Sequence, residues 1–334
     1  MSASPKVLIA HSRSGPLIRQ IAVALQRHRY DFVMDTGYVH RPDSALARLV
    51  SALPATLRTT LGRELARRHD PRVDASRVRS HAAAEILAVV ASRFAPTWIG
   101  ERATIWSDQL FDWRVARRIP PDTDIAIAQD GQSLHTIRAA KRAGILAVLN
   151  QTTGFVLKAM ETYREEARLN PEFADSLSSH LPVPALAYMR DEALEADRVL
   201  APSEFVRDTL LEQGVDPARI AMLPYGVDVE RFRPDWVPDP QGRFRILYVG
   251  NLGQKKGVKY LLEAVRRLAQ PDITLTLVGH VVGSGTGLAP YRHLFSHVPH
   301  VPYLQVHEMF RNADLFIYPS LHEGSAFANL EAMA

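Results

Sequence analysis

Two glutamates near the end of the chain, Glu323 and Glu331, have the types and the eight-position spacing that most directly suggest chemistry. They lie in the segment from Asp314 to Ala334, whose Leu315–Tyr318 run reads as a strand, followed by a loop and then a helix. Gly324, Ser325 and Ala326 stand where that helix is expected to begin. Unpaired backbone N–H groups there would face an anion, and a diphosphate suits such a helix end. Glu331, further along, could accept hydrogen bonds from two neighbouring ribose hydroxyls, as acidic residues do in nucleotide sites. The plain alternative is a loop carboxylate and a solvated helix residue.

A second candidate is the run from Gly250 and Asn251 to Lys255, Lys256 and Gly257, which follows a strand and leads into a helix. Glycines there let the backbone approach a ligand closely. A lysine ammonium is a mobile point charge suited to diphosphate oxygens, and it would stabilise a phosphate leaving group as its charge develops. Standing alone, the same lysine would be an ordinary surface residue. Two further patterns carry less. Asp122-Thr123-Asp124 has the D-x-D form used to hold divalent cations, but it sits at the amino end of a strand and reads as a turn; no metal site is inferred. The glycines from Gly279 to Gly287 do not fit G-x-G-x-x-G and read as a flexible loop.

These loops need a scaffold. Lys6–His11 reads as a strand, followed by a turn at Gly15 and a helix with apolar residues from Leu17 to Leu25. Residues 30–118 are harder to read: helical patterns at 45–53, 61–68 and 81–94 are interrupted by Pro54, Pro71 and Pro96. Strand Asp124–Gln129, helix Leu134–Ala143 and strand Ile145–Leu149 then alternate as β-α-β, which implies parallel strands. Strands at 198–201 and 220–223 follow. After a proline-rich stretch the alternation restarts with strands at 244–249 and 273–278 around a helix at 260–268. The expected fold is α/β, with a doubly wound Rossmann-like domain over 1–230, a linker over 231–243 and a second such domain over 244–334. Ligands on such sheets bind beyond the carboxyl ends of the strands, so the chemistry is expected in those loops, across a cleft between the domains.

With 46% hydrophobic and 23% charged residues among 334, the chain has the composition of a soluble globular protein long enough for two cores. It contains no cysteine, which excludes disulfides and thiolate chemistry. Val7–Ala10 is too short for a signal-peptide core, so a cytosolic location is expected. The net charge of +4 is uneven, with Arg58, Arg63, Arg67, Arg68, His69, Arg72, Arg77 and Arg79 crowded together. A solvated face is the ordinary reading, while contact with an anionic membrane surface, at the inner face, is left open. No motif for nucleic acid accompanies the basic run.

The E-x7-E spacing, with Tyr318-Pro319-Ser320 before it and Leu330-Glu331-Ala332-Met333-Ala334 around it, resembles the retaining GT-B glycosyltransferases of the group 1 and family 4 kind. The likeness runs from about Asp124 onward. It implies a nucleoside diphosphate sugar as donor, no separate cofactor, and an acceptor hydroxyl on a saccharide, a lipid-linked sugar or a small molecule. It also implies donor contacts from Gly15, Gly250, Asn251, Lys256, Gly324, Ser325, Ala326 and Glu331, with Glu323, Lys256 and Gln151 nearest the reaction. Asn251 stands where the family has an arginine. Gln151 stands near a family histidine, and an amide can orient a hydroxyl but cannot act as a base. That suits same-face substitution, in which the departing phosphate assists the acceptor. His135 is read as a helix-surface residue.

Family members usually continue beyond this point, so the second domain is expected to be incomplete and donor binding weak in a truncated copy. Two alternatives to the transferase stand beside it. One is a non-catalytic GT-B binding or scaffold protein; the other is a nucleotide-sugar epimerase.

Overall fold

The computed structural model describes residues 4–13, 16–39, 72–82, 85–86, 88–89, 97–177 and 181–334. Gly15, the patterns at 45–53 and 61–68, most of that at 81–94, and the basic residues from Arg58 to His69 lie outside the described residues. The chain packs as two compact units. The first comprises Met1–Gln151, Ala187–Leu200 and Val215–Ala221; the second comprises Thr152–Leu186, Ala201–Gly214 and Met222–Ala334.

The first unit is organised on a sheet of β1 (Val7–His11), β2 (Phe32–Thr36), β3 (Val78–Ser80), β4 (Ile125–Gln129), β5 (Leu146–Asn150), β6 (Arg198–Ala201) and β7 (Ile220–Met222). Their order is β3-β2-β1-β4-β5-β6-β7. Pairing from β3 to β6 is parallel. Four consecutive buried residues open β1, as expected of a strand covered on both faces. Ile18 and Ala22 of α1 (Pro16–Arg27) pack on Val7, Ile9, Phe32 and Met34. Among the remaining helices are α2 (Thr97–Ala116) and α3 (Leu134–Arg142). Here β2, β3 and α2 occupy the region whose sequence pattern gives no clear assignment. Arg77 pairs with Asp31 at 3.0 Å and covers the Phe32 ring, and Arg79 forks onto Asp35. Part of the basic run therefore pins the β2–β3 edge.

The second unit holds a parallel sheet of β8 (Phe244–Val249), β9 (Ile273–Val278), β10 (Ser296–Val298) and β11 (Leu315–Phe316), in the order β10-β9-β8-β11. The last strand ends at Phe316, two residues earlier than its sequence suggests. Around the sheet lie α4 (Val156–Leu169), α6 (Glu204–Glu212), α7 (Val258–Leu268), α8 (Val306–Arg311) and α9 (Phe327–Met333). The intervening α5 (Val183–Glu195) begins in the second unit and ends in the first. Buried Val258, Leu261, Leu262 and Val265 form a helical stripe on α7. They meet Ile246, Tyr248, Leu275 and Leu277 of the sheet, with Phe173 completing the core. At the amino ends, Arg245 forks onto Asp314, which also accepts the Trp236 indole N–H at 2.9 Å. These hydrogen bonds hold the Asp314 carboxyl well below the usual range and set β11 beside β8.

Candidate active site

Strand order decides where a ligand should bind. In the second unit the connections from β8 to β9 and β10 run one way across the sheet, while β11 lies on the other side of β8. The loops after β8 and β11 therefore open at the point where the winding reverses, the place where such sheets bind ligands. Those are the loops of Lys256 and Glu323.

The loop after β8 is shaped by close backbone contacts. A Cβ on Gly279 would fall 1.9 Å from the Gly250 carbonyl oxygen, so the ends of β8 and β9 come together only with glycine there. Gly257 has φ +68°, and a Cβ on it would lie 2.0 Å from the Pro319 oxygen. This draws the Gln254–Lys256 turn onto the loop after β11, where the Leu321 N–H donates to the Lys255 carbonyl at 3.1 Å. The Lys256 ammonium consequently pairs with the Glu323 carboxylate and lies 5.3 Å from the centre of the Tyr318 ring. Tyr318 donates its hydroxyl to the same carboxylate at 3.2 Å. Burial alone would lower the Lys256 ammonium, but Glu323 and then Tyr318 outweigh it, leaving it above the ordinary lysine value and charged.

Gly324 follows directly. A Cβ there would stand 1.7 Å from the Thr152 carbonyl oxygen, and its own carbonyl accepts the Ser203 hydroxyl. The helix expected to start at Gly324 and Ser325 starts instead at Phe327, with Ala326 as its extended N-terminal flank. Residues 324–326 are non-helical, so their N–H groups belong to a loop, that of Gly324 reaching the Glu323 carboxylate at 3.4 Å. Glu331 is buried on α9, among Tyr303 and Arg231, with Arg231 over the Tyr303 ring at 5.0 Å. Burial raises its carboxyl above the ordinary glutamate range, against the hydrogen bond of Tyr303 and the charge of Arg231. Thus Glu323 meets Lys256, whereas Glu331 has a separate set of partners. Asn251 is exposed, and its carbonyl accepts the Tyr248 hydroxyl at 2.7 Å.

A buried network braces the lysine turn from behind. Glu166 of α4 accepts hydrogen bonds from Gln254 at 2.7 Å, from the Tyr260 hydroxyl at 2.9 and 3.0 Å, and from Asn170. Gln254 also takes the Lys259 N–H at 3.1 Å, and its own N–H reaches Ser176 at 2.8 Å. Removing the carboxylate in Glu166→Ala would strand these donors. The expected loss is about 2–4 kcal/mol of unfolding free energy, readable by urea titration, with Glu166→Gln less affected.

In the first unit the corresponding helix end is already filled. Glu192 accepts the N–H groups of Gly131 and Ser133 at 2.7 and 2.6 Å, and Asp112 accepts those of His135 and Thr136 at 2.6 and 2.8 Å. Burial raises both carboxyls above their ordinary values. A phosphate would meet acidic groups there. Gln151 is buried in the first unit and donates to Asp130 at 3.2 Å. His135 sets its ring edge-on to Tyr188. The D-x-D residues are both held by Lys6, Asp122 through its ammonium at 2.6 Å and Asp124 through its N–H at 2.8 Å. That is the turn the sequence suggests. Sequence reasoning passed over Tyr318, Tyr163, Tyr303, Arg231 and Gln254. Only Tyr318 carried a signal, as the residue before Pro319 in the loop flank.

Two parallel sheets flanked by helices, with ligand loops at a winding reversal, define the GT-B class. Solved structures of similar fold bear this out. They include a sucrose-phosphate synthase of Thermosynechococcus elongatus (TM-score 0.61, 15% identity, 98% of this chain and 79% of that one). A second is HepE of Anabaena in complex with UDP and glucose (TM-score 0.56, 13% identity, 98% and 78%). The sequence matches Glycosyltransferase Family 4 over residues 55–231, more than half of the chain, and Glycosyl transferases group 1 over 236–334. The chain belongs to glycosyltransferase family 4. Curated relatives include a D-inositol 3-phosphate glycosyltransferase of Geodermatophilus obscurus, 34% identical over 42% of this chain and 36% of that protein. The α-maltose-1-phosphate synthase of Mycolicibacterium smegmatis is 28% identical over 42% of each. The chain thus spans well under half the length of these relatives. Among the described residues no helix is long and apolar enough to cross a membrane.

Proposed function

We propose that this chain transfers a sugar from a nucleoside diphosphate to an acceptor hydroxyl with retention of configuration, its second unit holding the donor. The observation that carries the reading is the meeting of Lys256, Glu323 and Tyr318 where the winding of the second sheet reverses. Lys256, together with the loop N–H groups of Gly324, Ser325 and Ala326, takes the diphosphate and stabilises the charge that grows as the bond from the anomeric carbon to phosphate oxygen breaks. Glu331 holds the ribose, and Glu323 contacts the transferred sugar. The acceptor oxygen bonds to the anomeric carbon on the face the phosphate leaves, and its proton passes to that phosphate. Gln151 orients a hydroxyl, and Gly250 and Asn251 line the approach to the diphosphate.

Uridine donors are the first to try, because similar folds have been solved with UDP and with UDP-2-fluoro glucose. The test is nucleotide release from UDP-, GDP- and ADP-sugars, each with and without polyol and sugar-phosphate acceptors, with the product anomer assigned by proton NMR. The account expects acceptor-dependent release and a product of unchanged anomeric configuration. An inverted product would exclude the retaining mechanism, and failure of every nucleotide to bind would exclude the donor site.

A further inference from the structure

Beside Glu323 stands a buried histidine that the donor reading does not use. His322 is 3% exposed, and neither its Nδ1 nor its Nε2 makes a well-aligned hydrogen bond, the Gly154 backbone being only a weak polar neighbour. Its ring is edge-on to Phe205 of α6, with centroids 5.2 Å apart, and to Tyr163 of α4, at 6.0 Å. A third side closes on Gly154, where a Cβ would come within 2.6 Å of the ring. The Tyr163 hydroxyl is also buried without a partner. Leaving such groups unpaired is costly, and a polar ring kept in this slot asks for a reason.

The backbone of this turn is pinned at both ends, by Leu321 on the Lys255 carbonyl and by the Ser203 hydroxyl on the Gly324 carbonyl. Between those pins, Glu323 turns toward Lys256 and Tyr318, while His322 turns toward α4 and α6. We propose that His322 is a positioning residue that seats Glu323 for the donor sugar by wedging the turn against Tyr163, Phe205 and Gly154. Its role toward a donor rests on the transferase reading above.

The neutral form is the one this slot accepts. Burial lowers the ring's basicity first; the Gly154 backbone opposes this, Lys255 and Lys158 add to it, and Glu323 opposes it. The ring thus faces Lys255 on the Gln254–Lys256 turn, Lys158 and Tyr163 on α4, the apolar Phe205 on α6, and Glu323 on its own turn. A base whose folded value is lowered contributes fully above its ordinary value, 6.5 for histidine, and loses that contribution as pH falls through the lowered one. Acid should therefore loosen the turn.

Hydrogen exchange of residues 319–326 in the unliganded chain, followed from pH 7.5 to 5.0 alongside calorimetric titration of UDP and UDP-glucose, tests this. In the wild type, exchange corrected for intrinsic rates should rise about fivefold or more toward pH 5. The advantage of UDP-glucose over UDP should shrink in parallel. His322→Phe fills the same slot without titrating and should stay protected throughout, with His322→Gln as a second non-titrating comparison should the first fold poorly. His322→Ala should be unprotected at every pH. An acid response that persists in both non-titrating variants, or an alanine variant as protected as the wild type, overturns the proposal. The expected exchange pattern without binding of any nucleotide would leave the wedge standing and overturn the donor reading instead.

Discussion

Lys256→Ala is expected to lower kcat/KM for the donor by about 10²–10³-fold, the loss typical when one preorganised charge at a developing anion is removed. Two physical effects combine. The cation that meets the leaving phosphate disappears, and the Glu323 carboxylate it neutralises is left facing the phosphate as a like charge. Binding of UDP should fall far more than binding of uridine, measured side by side by calorimetry. Equal loss for both would show that Lys256 supports the loop and does not hold phosphate. Glu323→Gln should behave in the opposite sense for the nucleotide alone. It frees Lys256, so UDP should bind at least as tightly as in wild type, while the extra affinity contributed by an attached sugar is reduced.

Gly324→Ala is expected to be among the most damaging single-methyl changes in the second unit. Its Cβ would lie 1.7 Å from the Thr152 carbonyl oxygen, a backbone atom that cannot rotate away as a flexible side chain would. Either the turn or the Thr152–Gly154 segment must move, and both flank the slot of His322. Overpacking of this kind costs about 1–3 kcal/mol, so a lower melting temperature is expected. Donor turnover should fall further than stability alone explains, because the shift displaces Glu323. Calorimetric melting together with nucleotide release at a temperature well below the transition separates the two. A variant that melts lower yet turns over donor normally would show that the position of the turn does not matter to the reaction.

The parts of the fold legible in the sequence are those where periodicity and burial agree. The apolar opening of β1, the centres of β8 and β9 (Ile246–Tyr248, Leu275, Leu277 and Val278) and the stripe on α7 are buried as their patterns require. By contrast α2 inverts the rule: it buries Ser107 and Asp112 beside Phe111 and Val115, and exposes Trp106 and Trp113. Asp112 is inside because it caps α3, a tertiary role that no local pattern announces. Similarly β2 carries Asp35 and Thr36 within a buried strand, Asp35 being paired with Arg79 from the next strand. At the site, Glu323 and Lys256 stand out through spacing and loop glycines. Their supports do not, because Glu166, Tyr163 and Phe205 reach the loops after β8 and β11, and Tyr303 reaches α9, from remote stretches of sequence. The start of α9 lies later than the local helix-start signals suggest, and the close approach of Gly324 to Thr152 just before it is a tertiary contact those signals do not contain.

A crystal structure of the chain with UDP-glucose tests the central claim most directly. The account predicts the diphosphate against Lys256 and the N–H groups of residues 324–326, the ribose on the Glu331 carboxylate, and the glucose within hydrogen-bonding distance of Glu323. A nucleotide bound at the first unit's α3, or bound in the second unit with Lys256 still closed on Glu323 and remote from phosphate, would contradict it.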